Sequence, residues 1–215
     1  MKSESSHTTA SQPPTPAQPS ARMRILDTAA TLFYQQGIHA VGVDAIVAAS
    51  GVAKMSFYRH FPSKDELIRA VLVEHDRRYW TWWDAAVGLH PDNPRQQLRD
   101  LLDTISERLH RPSYRGCFFI NFTAEFAKAG HLGSGVVLAH KQQQRTRLRA
   151  LAHALGVADP DLLTDQLVLL IEGARVSALT QGDSGPAKNL SQCAEGLIAS
   201  QLPGSTNSPA VSSAT

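Results

Sequence analysis

From Ser63 to Val87 the chain carries one unbroken helical pattern, and that run constrains every fold the rest can adopt. It opens on SKDE at 63–66, a capping box: Ser63 can accept from the amide three residues on, and Glu66 can reach back. Behind the cap, Leu67/Ile68, Val71/Leu72, His75, Tyr79 and Trp82/Trp83 recur at helical spacing. At the α-helical rise the run is about 37 Å long. Gly88 interrupts it, and HPDNP at 90–94 breaks the chain again. Three short helical segments precede this run, and longer segments with broad apolar faces follow it. The pattern predicts a small N-terminal head and a larger C-terminal body joined through one long helix.

The short segments read clearly. ARMRILDTAATLFYQQG (21–37) places Ile25, Ala29, Leu32 and Phe33 at three-to-four spacing and stops at Gly37. A second helix is expected over 43–49 with Val43, Ile46 and Val47 inward, broken by Gly51. A third is expected over 53–60 and ended by Pro62. Further helices are expected at 94–110, 117–129, 134–155, 160–181 and 186–201, separated by Gly, Pro, Asn and Asp. Strand alternation is nearly absent and no repeat occurs, so the fold class is all-α.

At 215 residues the chain is long enough for one large domain or two small ones. A hydrophobic content of 42% and a charged content of 19% fit a soluble globular protein. The formal net charge is only +2, so any basic footprint must be local. Cys117 and Cys193 are far apart and lack CxxC spacing, which predicts neither a disulfide framework nor a metal site and fits a reducing compartment. No apolar run reaches membrane-spanning length, and residues 1–20 lack the apolar stretch of a signal peptide. That Ser/Thr/Pro/Gln-rich segment and the tail over 203–215 are expected to be disordered, and the protein to be cytoplasmic. HExxH, GxSxG, Walker and Rossmann patterns are absent, and Cys117 lies in an apolar run that suits an inert thiol. No enzyme activity and no cofactor are expected.

SGVAKMSFYRHF (50–61) is the stretch with recognition chemistry. Two short helices joined through Gly51 make a helix-turn-helix, whose second helix can enter a DNA major groove. Ala53, Phe57, Phe61 and His60 fall on one arc of that helix, and Lys54, Met55, Tyr58 and Arg59 on the opposite arc. One arc anchors; the other offers groups suited to phosphates and base edges. Lys64 follows at the capped start of the long helix, where free amides favour an anion. A solvated helix face is the plainer alternative for these twelve residues alone.

The run RILDTAATLFYQQG, followed by VDAIVAASGVAKMSFYRHFPSKDELI, resembles the N-terminal DNA-binding domain of TetR-family transcriptional repressors over about residues 22–69. The resemblance rests on Ala29, Phe33, Gly37, Ile46, Gly51, Val52, Phe57, Tyr58, Phe61, the Ser63–Lys64 step and Leu67. It implies that Lys54, Met55 and Ser56 approach bases, while Tyr58, His60 and Lys64 hold phosphates. The family commonly has Thr or Ser at the start of the second helix, where this chain has Val41 and Gly42. Gly42 and Val43 remain the DNA-facing candidates there, without the hydroxyl. Arg22 and Arg24 open the first helix, where an N-terminal arm can reach DNA. The resemblance implies a head over 21–66 and a ligand-binding and dimerisation body over 67–202.

Within the body, Tyr79, Trp82 and Trp83 on the long helix, with Phe118, Asn121, Phe122, Glu125 and Phe126 in RGCFFINFTAEF (115–126), are candidates for an effector pocket. Aromatic walls suit an apolar or aromatic small molecule, cationic ones included. The same aromatics also read as ordinary core. Leu163, Leu167, Leu170, Ala174 and Ala178, with Leu190, Ala194 and Leu197, are candidates for a homodimer interface, because so broad an apolar face calls for burial from both sides. The expected function is ligand-responsive transcriptional regulation, of the repressor type, on a pseudo-palindromic double-stranded DNA operator. The competing expectation is a helical ligand-binding or scaffold protein whose head meets protein.

Overall fold

The computed structural model describes residues 19–126 and 130–202, and among the described residues every regular element is helical. The first helix, α1 (Ala21–Gln36), starts where the Ser20 hydroxyl accepts from the Met23 amide and ends where the Gly37 amide donates to Phe33. Helix α2 (Val43–Ser50) and helix α3 (Lys54–His60) are joined through Gly51, whose φ of 64° lies in the left-handed region that a side chain would strain. Helix α4 (Lys64–Val87) begins with the Glu66 amide donating to the Ser63 hydroxyl at 3.1 Å, the Ser63 half of the capping box.

The body continues with α5 (Pro94–Leu109), α6 (Phe118–Glu125), α7 (Ser134–Ala154), α8 (Pro160–Gln181) and α9 (Leu190–Gln201), the last preceded by short 3-10 turns. Asn93 and Asp159 cap α5 and α8 with their side chains, and Pro94 and Pro160 occupy the first turn, where no amide donor is needed. Two boundaries differ from expectation. Helix α6 ends at Glu125, where Phe126 leaves helical geometry (φ −116°, ψ 52°) and the His39 ring lies 3.0 Å from the Glu125 carbonyl; residues 127–129 of the expected helix lie outside the described residues. Residues 186–189 form a 3-10 turn, so the last α-helix starts at Leu190. Residues 1–18 of the arm expected to be disordered over 1–20, and the tail over 203–215, lie outside the described residues; Ser20, within that expected arm, instead caps α1.

Two hydrophobic cores form, and α4 contributes to both. Its first half supplies Leu67, Ile68, Val71 and Leu72 to a head core built on Ile25, Phe33, Ile46, Phe57 and Phe61. Its second half supplies Trp80 and Trp83 to a body core built from α5, α7, α8 and α9. Helix α6 sides with the head: Phe118, Phe119 and Phe122 belong to the first core, which therefore runs past residue 66 into the body's sequence. Gly133, capping α7, is a point of close approach. A Cβ there would overlap the Leu72 side chain and lie 2.9 Å from the Phe122 ring.

Candidate nucleic-acid interface and ligand cavity

Helix α3 is mounted on aromatic residues. Phe57 is fully buried and Phe61 nearly so, with ring centroids 6.2 Å apart. That anchorage turns the other arc to solvent. Met55 is 83% exposed, an unusual position for a thioether, and Tyr58 packs edge-on against Phe57 at 5.2 Å with 44% of its surface free. The Lys54 ammonium reaches Asp44 of α2 at 2.7 Å; that hydrogen bond and its carboxylate charge raise the pKa of the lysine. Arg59 donates to the half-buried Ser56 hydroxyl at 3.1 Å. His60 is half-buried at the end of the helix. Gly42 precedes α2 without a side-chain cap, its carbonyl accepting from Ile46 at 3.3 Å, and Val43 is half-buried beside it. Arg22 stacks over the Phe61 ring at 5.3 Å, and Arg24 donates to the Pro19 carbonyl.

Lys64 is engaged elsewhere. Its ammonium donates to the Ile38 carbonyl at 2.7 Å, 6.0 Å from the Phe33 ring centroid, and burial lowers its pKa. The same turn between α1 and α2 is held from the body. Both Glu125 carboxylate oxygens accept, from the Ile38 amide at 2.9 Å and the His39 amide at 2.7 Å. Phe126 packs on the His39 ring at 4.5 Å. A second strap runs through Tyr34 of α1, whose hydroxyl donates to the Gly116 carbonyl and accepts from the Arg115 amide. The head is thus tied to the segment leading into α6 and to its end.

Beside the Tyr34 strap lies a cavity of about 600 Å³, within the range of small-molecule sites. One wall is α1, with Asp27, Ala30 and Tyr34. Opposite stand Val71, His75, Arg78, Tyr79 and Trp82 of α4, with Arg108 and Leu109 from α5. Phe118 and Phe119 form an aromatic side, Tyr114 and Cys117 come from the approach to α6, and Arg175 comes from α8. His75 lies 5.0 Å from Phe118 and 5.2 Å from Phe119 between ring centroids. Burial, reinforced by the charges of His140 and Arg108, pushes its imidazole down to about 4. The cavity is therefore bounded by both halves of the molecule. Anything filling it touches the helix that carries the head.

Comparison with known proteins bears on both sites. Residues 25–71 match the family model described as bacterial regulatory proteins, tetR family. The HTH-type transcriptional repressor ComR of Escherichia coli is 28% identical over 161 residues, 71% of this chain and 77% of that protein. The HTH-type transcriptional activator FasR of Mycolicibacterium smegmatis is 34% identical over 106 residues, 48% of each chain. The crystal structure of SCO4454, a TetR-family transcriptional regulator from Streptomyces coelicolor, superposes with a TM-score of 0.78 at 34% identity, over 83% of this chain and 94% of that one. The chain belongs to the TetR family of transcriptional regulators.

In this TetR-family chain the effector candidates separate. Tyr79, Trp82 and Phe118 line the cavity. Trp83 and Phe122 are 2% and 1% exposed and serve as core. Asn121, which donates to the Arg115 carbonyl, and Glu125 border a smaller cleft, and Glu125 spends both oxygens on the strap. Phe126 stacks on Phe122 at 4.9 Å. The polar half of the cavity, Tyr34, Arg78, Arg108, Tyr114 and Arg175, was not anticipated. One signal was present: Arg175 interrupts the apolar LIEGARVSAL, and a cation there must find a partner or a polar space.

The interface candidates separate too. Leu163, Leu167, Ala174, Ala178, Leu190 and Ala194 are buried in the body's own core, and Leu170 and Leu197 pack partly against it. The outer face of α8 instead carries Leu162, Leu169, Val176 and Leu179, each at least 50% exposed. An apolar periodicity that fills two faces does not say which one its own chain covers. Among the described residues no cluster of His, Cys, Asp and Glu can hold a metal ion, and no helix is long and apolar enough to cross a membrane.

Proposed function

We propose that this regulator is a cytoplasmic repressor without catalytic activity, which binds a pseudo-palindromic operator as a homodimer and is released by a small molecule in the cavity. The observation that carries the reading is the two-sided α3. Its buried phenylalanines fix the helix, and Lys54, Met55, Tyr58 and Arg59 stand exposed on its outer arc. Lys54, Met55 and Ser56 take the base-reading role, while Tyr58, His60 and, at the head's edge, Gly42 and Val43 lie toward the DNA phosphates; Lys64, expected there, is held by the Ile38 carbonyl instead. Residues 21–66 act as the reading head and 67–202 as the effector and dimer body.

Dimerisation is supported by the exposed stripe Leu162, Leu169 and Val176 of α8, at seven-residue spacing with Leu179 beside it. One seven-residue recognition helix supplies little affinity, and a twofold pair supplies two half-sites. Release is supported by the cavity walls. An effector between α1 and α4 favours one head position over another, and by linkage it weakens operator binding by its differential affinity, about 1–3 kcal/mol in typical systems.

Selection of bound oligonucleotides from a random duplex pool tests the reading. The expected product is a two-half-site sequence whose affinity falls steeply and linearly in log–log form with salt. Recovery of no enriched sequence, with a flat salt response, rejects a DNA-reading head.

A further inference from the structure

The walls of the cavity are not evenly charged. Arg78, Arg108, Arg111 and Arg175 line it, against a single carboxylate, Asp27. Asp27 is spent on Arg78, which it meets at 2.6 Å and which also bonds Glu74. Arg175 bonds Glu172 at 2.8 Å, yet the same Glu172 oxygen takes the Lys141 ammonium at 2.5 Å, so one carboxylate is shared by two cations. Among the described residues, Arg108 and Arg111 have no carboxylate within ion-pair distance. Arg108 is half-buried and lies over the Trp82 ring at 4.8 Å; burial and the charge of Arg111 both lower its pKa. The indole N–H of that tryptophan is buried without an acceptor. The floor is aromatic, with Phe118 and Phe119 buried, while Arg111 and Ser113 are exposed at the rim.

A half-buried cation without an anion is costly, and it is relieved by a ligand that brings one. We propose that the cavity takes an aromatic or extended apolar carboxylate, its ring system against Phe118 and Phe119 and its anion at Arg108 and Arg111. This rests on reading the cavity as the effector site. It reverses the cationic option that aromatic walls alone allow, because the guanidinium groups repel an ammonium. The planar fork of Arg108 suits a two-oxygen anion, and its stacking on Trp82 holds that fork in place.

The test uses three fluorescent probes with the same body: 1-pyrenebutyrate, 1-pyrenebutanol and 1-pyrenebutylammonium, titrated into the full chain by anisotropy. The carboxylate is expected to bind at least about tenfold more tightly than the alcohol, with the ammonium weakest. Arg108→Gln should cost the carboxylate about tenfold and leave the alcohol within about twofold. A thermal melt of Arg108→Gln checks that it is folded, and the three-probe ranking on the unaltered chain stands whatever that variant does. If alcohol or ammonium equals the carboxylate, the anion assignment is overturned while the cavity stands. If a carboxylate preference survives both Arg108→Gln and Arg111→Gln, the anion is held elsewhere and the assignment is again overturned. Failure of all three to bind overturns the cavity itself. Carboxylate binding that leaves the affinity for the selected operator unchanged supports the ligand class and rejects the effector reading.

Discussion

Met55 and Phe57 stand two residues apart on α3 and have opposite environments, 83% and 0% exposed. The difference separates stability from recognition at single positions. Phe57→Ala removes a fully buried ring from the head core and should cost about 3–5 kcal/mol. Urea unfolding should show that loss, and operator binding should fall with it. Met55→Ala removes a side chain that touches little of its own chain. Its unfolding midpoint should stay with the parent's, while the preferred bases in a selection experiment change. If Met55→Ala leaves the selected sequence untouched, α3 reads DNA without that side chain. Lys64 illustrates how context reassigns a residue: its position suits a phosphate, yet its ammonium already serves the Ile38 carbonyl.

At the scale of elements, the informative contact joins α6 to the turn after α1. Glu125 accepts from two successive amides, those of Ile38 and His39, which would otherwise need other partners at the edge of the head. Glu125→Gln keeps the size but replaces one accepting oxygen by a donor that faces an amide donor. The expected cost is about 1–3 kcal/mol. Hydrogen exchange at the Ile38 and His39 amides should speed up, with α8 and α9 amides unchanged. Equal protection in parent and variant would show that the strap does not hold the turn. Helices α1 to α5 were legible because their signals are local: periodic apolar positions, Ser63 as a cap, the HPDNP break before α5, Gly37 and Gly51 as stops. The end of α6 was not legible, because the contacts made there by Glu125 and Phe126 are to Ile38 and His39, distant in sequence.

For the whole molecule, two histidines, the buried His140 and the half-buried His75, link stability to pH. His140 stacks on Phe119 at 3.9 Å and bonds Asp76 at 2.8 Å, with Lys141 and Arg175 nearby. Burial pushes His140 down to about 4 despite Asp76, and His75 is likewise pushed to about 4 by burial and by His140. Their ordinary value is 6.5, so between 6.5 and about 4 the unfolded chain binds protons that the folded chain refuses. Their stabilising effect is complete above pH 6.5 and is lost as pH falls toward 4, by at most about 1.4 kcal/mol per pH unit for each. Urea midpoints measured from pH 7.5 to 4.5 should fall, and less steeply in a folded His75→Phe variant. Parallel slopes would exclude His75 as a contributor. At the same scale, Leu169→Glu puts a charge on the exposed face of α8, where Leu169 is 72% exposed. Sedimentation should then show a monomer with an unchanged helical spectrum. A persistent dimer would place the interface elsewhere.

What the sequence determined by itself was the set of helices and the two-sided nature of α3, since caps, stops and a 3.6-residue period are encoded within a few neighbouring positions. It also contained an oddity, Arg175 in an apolar helix, without saying what that cation faces. The tertiary structure alone decided which face of α8 is inward. It made Leu163 and Leu167 core and left Leu162 and Leu169 outside. Only packing, too, brought Arg78, Arg108 and Arg175, from three different helices, around one cavity with Tyr34 of the head. The reason is physical: apolar periodicity records that a surface must be buried but not against what. The sign of the electrostatic field in a cavity depends on which charges meet there and which are already paired.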